Sequence, residues 1–251
     1  MDEKLWFLKE CPLFERLTED QIERLEAASQ SRSFGKGEMI YLPSDASESV
    51  LLLTKGRVKL FHVTSDGKQA LLALIEPGEV FGELAVFDGG QREEFAEAMM
   101  PSTLIRIPKV IIQDLMESEA NVAIGITKLI GFRRRRVERR LKSLLFRSNR
   151  ERLIHLLIEL ADQYGVRTPD GVRLKIKLSH QELASIIGST RETVTVVLGD
   201  LQSEGKLKIE RRHLILNDID RLAATIGVTS PEVPVDSPFL HRTARPARYG
   251  T

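Results

Sequence analysis

The chain of 251 residues is 42% hydrophobic and 29% charged with a formal net charge of +1, which fits a soluble globular protein of one or two domains and rules out a uniformly basic DNA-coating protein. Its single cysteine, Cys11, rules out an intramolecular disulfide and a four-cysteine iron–sulfur cluster, and fits a reducing cytoplasm. No apolar run is long enough for a bilayer, and Asp2 and Glu3 stand where a signal peptide would be basic, so the expectation is a cytoplasmic protein with no membrane partner.

In chain order, residues 12–29 predict a short amphipathic helix capped by Thr18, with Glu15, Glu19 and Asp20 near its start. From Ser33 to Ile107 the pattern becomes short apolar runs broken by turn signals. The runs are Met39–Leu42, Val50–Leu53, Val58–Val63, Ala70–Ile75 and Leu104–Ile107, a spacing that predicts an antiparallel barrel or jelly roll. Asp66–Gly67 is placed as a hairpin turn between two of these strands. A long helix is expected from Ala120 to Phe146. Its residues Ile126, Ile130, Val137, Leu141 and Leu144 form a coiled-coil-like stripe over about three heptads, which points to dimerisation; the alternative is a single helix buried against the barrel.

A further helix, Glu151–Gln163, leads to Gly165 and a hairpin-like segment turning at Asp170–Gly171. Ser179 and Glu182 then fit a capping box that opens a helix. Ala184, Gly188 and Val194 supply a small residue at a crossing, a glycine at a turn and a β-branched filler, the pattern of two short helices that cross closely. Ser189 or Thr190 caps the second helix, whose first turn offers Arg191, Glu192 and Thr195. A guanidinium, a carboxylate and a hydroxyl on one side can read base edges in a major groove. Lys206–Ile209 and His213–Leu216 predict a small β-wing with Arg211–Arg212 at its tip, suited to phosphate contact or to a solvated turn. Residues 229–251 hold four prolines and little periodicity and are expected to be disordered, with Arg242, Arg245 and Arg248 weakly basic.

Charge follows this layout. Residues 1–116 hold 13 basic and 20 acidic side chains, residues 117–146 hold 8 and 3, and residues 147–228 hold 13 and 11. Positive charge therefore gathers toward the half that carries the two-helix motif, the side that favours phosphate. No nucleophile–base pair, metal-ligand spacing or Walker-type loop is present, so an enzyme, a metal site and a resident cofactor are not expected.

The order helix, β-roll, long helix, winged helix resembles the Crp/Fnr family of bacterial transcription regulators over residues 5–225. Three segments carry the resemblance: PLFERLTEDQIERL, PGEVFGELAVFDGGQR and, most specifically, IIGSTRETVTVVLGDL. It implies an α+β fold: an N-terminal antiparallel β-roll of the cyclic-nucleotide-binding type over residues 1–116 as effector sensor, a dimerisation helix over 117–146, and a winged helix–turn–helix over 147–228 that binds DNA. It implies a homodimer on palindromic double-stranded DNA, an effector held between roll and long helix, and RNA polymerase as a further partner, touched by a loop near Thr168–Gly171. A competing reading is a cyclic-nucleotide-binding module that controls another protein; it leaves residues 179–201 unexplained.

By residue match, Gly82, Glu83 and Leu84 correspond to the family's glycine–glutamate–leucine triplet, and Arg92 to the arginine that pairs with a cyclic phosphate. Glu93 departs from the family's serine. A carboxylate about 4 Å from a phosphate costs about 4 kcal/mol at an effective dielectric near 20, enough to abolish ordinary binding. Val137 and Glu138 stand where cyclic-AMP binders present a threonine–serine pair. The ligand expected is therefore no cyclic AMP but an anionic effector such as a dicarboxylate or phosphorylated compound, held with help from Arg133 and Arg134, or no ligand at all. Haem is a weaker option that would draw on Cys11, Pro12 or His62. On the DNA side the resemblance assigns Arg191 to guanine and Glu192 to cytosine, with Val196 replacing the family's second arginine and facing a thymine methyl. Thr195 is assigned to a base or a phosphate, and Ser179, Gln181 and Thr190 to backbone phosphates.

Overall fold

The computed structural model describes residues 3–65, 67–87, 90–210 and 213–235. The chain forms two compact units whose border falls inside one helix, between Arg136 and Val137.

The first unit opens with α1 (Glu3–Glu10) and α2 (Glu19–Ala28). Thr18 caps α2 in a reciprocal box with Gln21, so the helix starts one residue after the cap rather than at residue 12. The segment before it is a run of turns, with the Phe14 amide on the Cys11 carbonyl and the Leu17 amide on that of Phe14. The sequence gives no period for α1 because Leu5, Trp6, Phe7 and Leu8 are consecutive.

Eight strands follow: β1 (Gln30–Phe34), β2 (Met39–Tyr41), β3 (Ser49–Lys55), β4 (Val58–Val63), β5 (Gln69–Ile75), β6 (Val80–Phe81), β7 (Phe95–Ala98) and β8 (Ser102–Pro108). They make two antiparallel sheets ordered β1-β8-β3-β6 and β2-β7-β4-β5, an interleaving that wraps the chain into a roll. Period two explains its two cores. Val50 and Leu52 of β3, Ile105 and Ile107 of β8 and Val80 of β6 join the helices in one cluster; Leu51, Leu53, Leu104 and Phe81 join the facing sheet in the other. Leu52 and Leu53 are both fully buried. Truncating either to alanine costs about 2–5 kcal/mol. The β4–β5 turn is closed by the Thr64 amide on the Lys68 carbonyl at 2.9 Å, with Gly67 at φ 78°, while Asp66 lies outside the described residues.

After β8, α3 (Lys109–Ser118) packs Ile112 and Leu115 on the helical core, and Glu119 breaks the chain before α4 (Ala120–Phe146). Of the expected stripe, Ile126 is buried against the roll and Ile130 packs beside it, whereas Val137, Leu141 and Leu144 are 57%, 54% and 40% exposed. The two readings of this helix thus divide along its length: the first half is core, and the second leaves an apolar face uncovered. Among the described residues no helix is long and apolar enough to cross a membrane.

The second unit contains α5 (Asn149–Tyr164), β9 (Gly165–Thr168), β10 (Gly171–Leu174), α6 (His180–Ile187), α7 (Arg191–Ser203), β11 (Leu207–Glu210), β12 (His213–Leu216) and α8 (Ile219–Ala224). Ser148 and Glu151 form the capping box of α5, which buries Leu153, Leu157 and Ala161. The strands form one sheet, β11-β12-β10-β9, so the wing pair β11–β12 is continuous with the β9–β10 hairpin. Arg211 and Arg212, at the expected wing tip, lie outside the described residues.

The expectation of disorder from residue 229 is corrected for 229–235. Val233 is buried, the Arg167 amide donates to the Pro234 carbonyl at 2.8 Å, and Val235 bridges Arg167 in parallel. The open edge of β9 gives this segment backbone partners that no local pattern announces. Arg242, Arg245 and Arg248 lie outside the described residues.

Candidate functional site

The two-helix motif is built from local chemistry. The Ser179 hydroxyl accepts the Glu182 amide, and the Glu182 carboxylate accepts from the Ser179 amide at 2.6 Å and hydroxyl at 2.7 Å. Gly188 ends α6 at φ 64°, a left-handed cap, and a Cβ there would meet Leu144 Cδ2 at 2.8 Å. Of the two candidate caps, Thr190 serves α7, accepting the Thr193 amide at 3.2 Å. Ala184 and Val194 are fully buried where the helices meet. Arg152 on α5 donates to the Ile187 carbonyl at 3.0 Å, holding the end of α6.

This frame leaves Arg191, Glu192, Thr195 and Val196 exposed on α7, and Ser179, Gln181 and Thr190 exposed at the helix starts. Val196, at 61% exposure, is an apolar side chain with no core role. The Glu192 carboxyl is held below the usual carboxylate range by its own amide and by the Thr190 hydroxyl, so it is ionised and acceptor-only. Sequence reasoning missed His180. Its Nδ1 lies 2.7 Å from Thr195 Oγ1, and that hydroxyl donates in turn to the Arg191 carbonyl at 2.9 Å. The Thr195 hydroxyl is therefore engaged on both sides, and what it presents outward is its methyl. A histidine at the first position of α6 and a hydroxyl residue on α7 gave the only sequence signal for this bond.

In the first unit, Gly82 is left-handed at φ 69° and opens a 3-10 turn, Glu83–Val86. A Cβ on Gly82 would lie 2.5 Å from Arg92 Nη1, so the glycine makes room for the guanidinium. Arg92 is buried at 7% exposure, donates to the Gly82 carbonyl at 3.0 Å and to the Ser49 carbonyl, and sits 4.5 Å over the Tyr41 ring. As a phosphate ligand it would have to use its remaining N–H groups or give up those carbonyls. Glu83 is buried and ion-paired with Arg133 of α4, whose other amino group donates to the Val80 carbonyl at 2.6 Å. Thus Glu83 is engaged by a guanidinium in this conformation. Arg134, Val137 and Leu84 are exposed, and Glu93 points away from the core as an exposed residue. Glu94 instead accepts from the Tyr41 hydroxyl at 2.7 Å, and Glu97 pairs with Lys59 at 2.9 Å. Glu79, beside Arg133 and Arg136, has its carboxyl raised by burial.

Cys11 is buried, and burial pushes its thiol up to about 12. His62 is exposed on β4. Among the described residues no group of three or more histidine, cysteine, aspartate or glutamate side chains is placed to hold a metal ion.

Comparison with known proteins follows the same division. Residues 31–119 match the cyclic nucleotide-binding domain and residues 151–225 the Crp-like helix-turn-helix domain. The chain is 34% identical over 187 residues to the global nitrogen regulator of Synechococcus elongatus, covering 74% of this chain and 84% of that protein. It is 30% identical over 202 residues to the cyclic AMP receptor protein of Thermus thermophilus, covering 80% and 90%. A solved CooA mutant from Carboxydothermus hydrogenoformans is similar with a TM-score of 0.70 at 25% identity, covering 80% of this chain and 88% of that one.

Proposed function

The chain belongs to the Crp/Fnr family of bacterial transcription regulators and is a DNA-binding regulator of that type; from this premise we propose that it reads a palindromic site as a homodimer, under the control of a small anionic effector other than cyclic AMP. The observation that carries the DNA reading is the exposed first turn of α7, where Arg191 and Glu192 stand outward from a helix fixed by Thr190, Ala184 and Val194. Arg191 pairs with guanine O6 and N7, Glu192 accepts from cytosine N4, and Val196 meets a thymine methyl. Ser179, Gln181 and Thr190 bind phosphates. Two copies joined through Val137, Leu141 and Leu144 present two such helices to successive turns of one duplex. RNA polymerase is the expected further partner, and the cytoplasm, where the DNA is, the expected location.

The effector reading rests on the cassette, the segment from Pro77 to Arg92 that holds Gly82, Glu83 and Leu84. Arg133 and Arg134 supply the cationic side, and Gly82, Glu83, Leu84, Arg92 and Val137 the surroundings. An anion that draws Arg133 from Glu83 would transfer charge from the roll to the ligand and so bias α4. The relative from Thermus thermophilus is named for cyclic AMP. Here Glu93, Val137 and Glu138 replace the groups that ligand needs.

The experiment is a gel shift on a genomic fragment library, with and without a panel of dicarboxylates and phosphorylated metabolites, paired with calorimetry against cyclic AMP. Retarded fragments sharing an inverted repeat, a response lost in Arg133→Ala, and no heat with micromolar cyclic AMP are expected. Binding of cyclic AMP at that concentration, or no affinity for any duplex, would sink the reading.

A further inference from the structure

A second cationic site lies on the strand side of the roll, away from the Glu83–Arg133 pair. It is a cleft of 310 Å³ between the β1-β8-β3-β6 sheet and β2. Phe34, Ile40, Leu51 and Leu104 give it an apolar lining. Three guanidiniums line it as well: Arg32 of β1, Arg106 of β8, and Arg92. Strand alternation explains their convergence, since Arg32 is paired in register with Leu104, and Arg106 with Leu51, so each arginine follows the same face as the apolar lining.

The charge in this cleft is not balanced. Among the described residues Asp45 is the one carboxylate lining it, and one of its oxygens already accepts the Leu42 amide at 2.8 Å. Glu94, bound to the Tyr41 hydroxyl, does not line it. Among the described residues, Arg106 donates to the Ser49 hydroxyl at 3.1 Å and Arg32 to the Gln30 side chain at 3.4 Å, and neither has a carboxylate within ion-pair distance. Three guanidiniums against one carboxylate leave a formal excess of two positive charges beside an apolar lining. Like charges in a partly desolvated cleft repel, and a dianion relieves the repulsion while its organic part covers the apolar atoms.

The geometry points to a binding site for a phosphate monoester carried on a small apolar body, held by Arg32, Arg106 and the free N–H groups of Arg92. A guanidinium has five N–H donors, and the two carbonyls use two of those on Arg92. Arg92 also connects this cleft to the cassette, because it bonds the Gly82 carbonyl. The site does not depend on how the protein reads DNA.

Phenyl phosphate is the probe, titrated calorimetrically into the full chain at constant ionic strength, with inorganic phosphate in parallel. Arg32 and Arg106 are exposed, so the Arg32→Gln/Arg106→Gln double variant is expected to keep the unliganded melting temperature. Phenyl phosphate should bind more tightly than inorganic phosphate, and the double variant should weaken it about tenfold or more, since two charge-assisted contacts are lost. Arg32→Gln and Arg106→Gln should each weaken it on their own, which places the ligand in this cleft rather than beside Arg133. Absent binding, equal binding by the double variant, or equal affinity for the two phosphates would each overturn the assignment. Gel shift of the double variant without ligand reports separately on DNA reading.

Discussion

His180 at the start of α6 and Thr195 in the middle of α7 are joined by a 2.7 Å hydrogen bond. Because the Thr195 hydroxyl donates its proton to the Arg191 carbonyl, it accepts from His180, whose Nδ1 is the donor of the pair. The bond ties the start of α6 to α7 and commits the Thr195 hydroxyl to partners within the protein. Thr195→Val keeps the outward methyl and should leave the selected sequence unchanged. Thr195→Ser keeps the hydroxyl, loses the methyl and should relax one position. Binding-site selection distinguishes the two, and a changed preference in the valine variant would refute this role.

Arg191, Glu192 and Gln181 should separate base reading from phosphate anchoring. Glu192→Ala and Arg191→Ala should each relax one base pair by about 1–3 kcal/mol, and Gln181→Ala should weaken all sequences alike. Titrations on the selected site and on single-base variants, at fixed salt, measure the difference. Uniform loss in all three variants would remove the base-reading assignment.

Gly82→Ala should destabilise the first unit by about 1–3 kcal/mol, because a left-handed non-glycine residue is strained and its Cβ would press on Arg92. Gly78→Ala is a useful comparison: its φ is also positive, at 89°, but nothing lies within 4 Å of its Cβ position. Chemical denaturation should show the larger loss at Gly82, and equal losses would mean that the contact with Arg92 costs nothing.

Glu79 supplies a pH dependence. Its folded-state carboxyl is raised, first by burial; the Glu76 amide that donates to it, Arg133 and Arg136 oppose the rise, and the Glu76 carboxylate adds to it. The folded state therefore holds its proton to higher pH than the unfolded chain, so this group favours folding at low pH and the benefit is lost as pH rises through the folded value. Glu79→Gln should raise the melting temperature at neutral pH, and the gain should vanish toward acid. A gain that does not vary with pH would show that burial of the carboxylate is not its origin.

Leu141→Glu tests the assembly. Leu141 is 54% exposed on the half of α4 that lacks core partners. A charge there should yield monomers in sedimentation velocity and lower affinity for a palindromic site about a hundredfold or more, while the fold is kept. A dimer unaffected by this change would move the interface elsewhere.

The caps at Thr18, Ser179 and Thr190 were readable from the chain because each is settled within three or four residues, and the structure contains each of them. The Gln21 half of the first box and the Ser148–Glu151 box are equally local but were not foreseen. Strands that are short apolar runs between turn signals, such as β4 and β5, were equally plain. β1, with the polar sequence QSRSF, was not, because only pairing with β8 makes it a strand. The same holds for β6 and β7 and for residues 229–235.

Sequence by itself determined the order of the larger parts (roll, long helix, helix–turn–helix and wing) and the outward first turn of α7, since caps, turn glycines and periodicity act over a few residues. Tertiary structure alone decided that Arg92 is spent on the carbonyls of Gly82 and Ser49, that Glu83 meets Arg133 fifty residues away, and that Arg32 and Arg106 face one cleft. Those partners are fixed by sheet register and by which face of α4 packs on the roll, and long-range contacts of that kind leave no local signature.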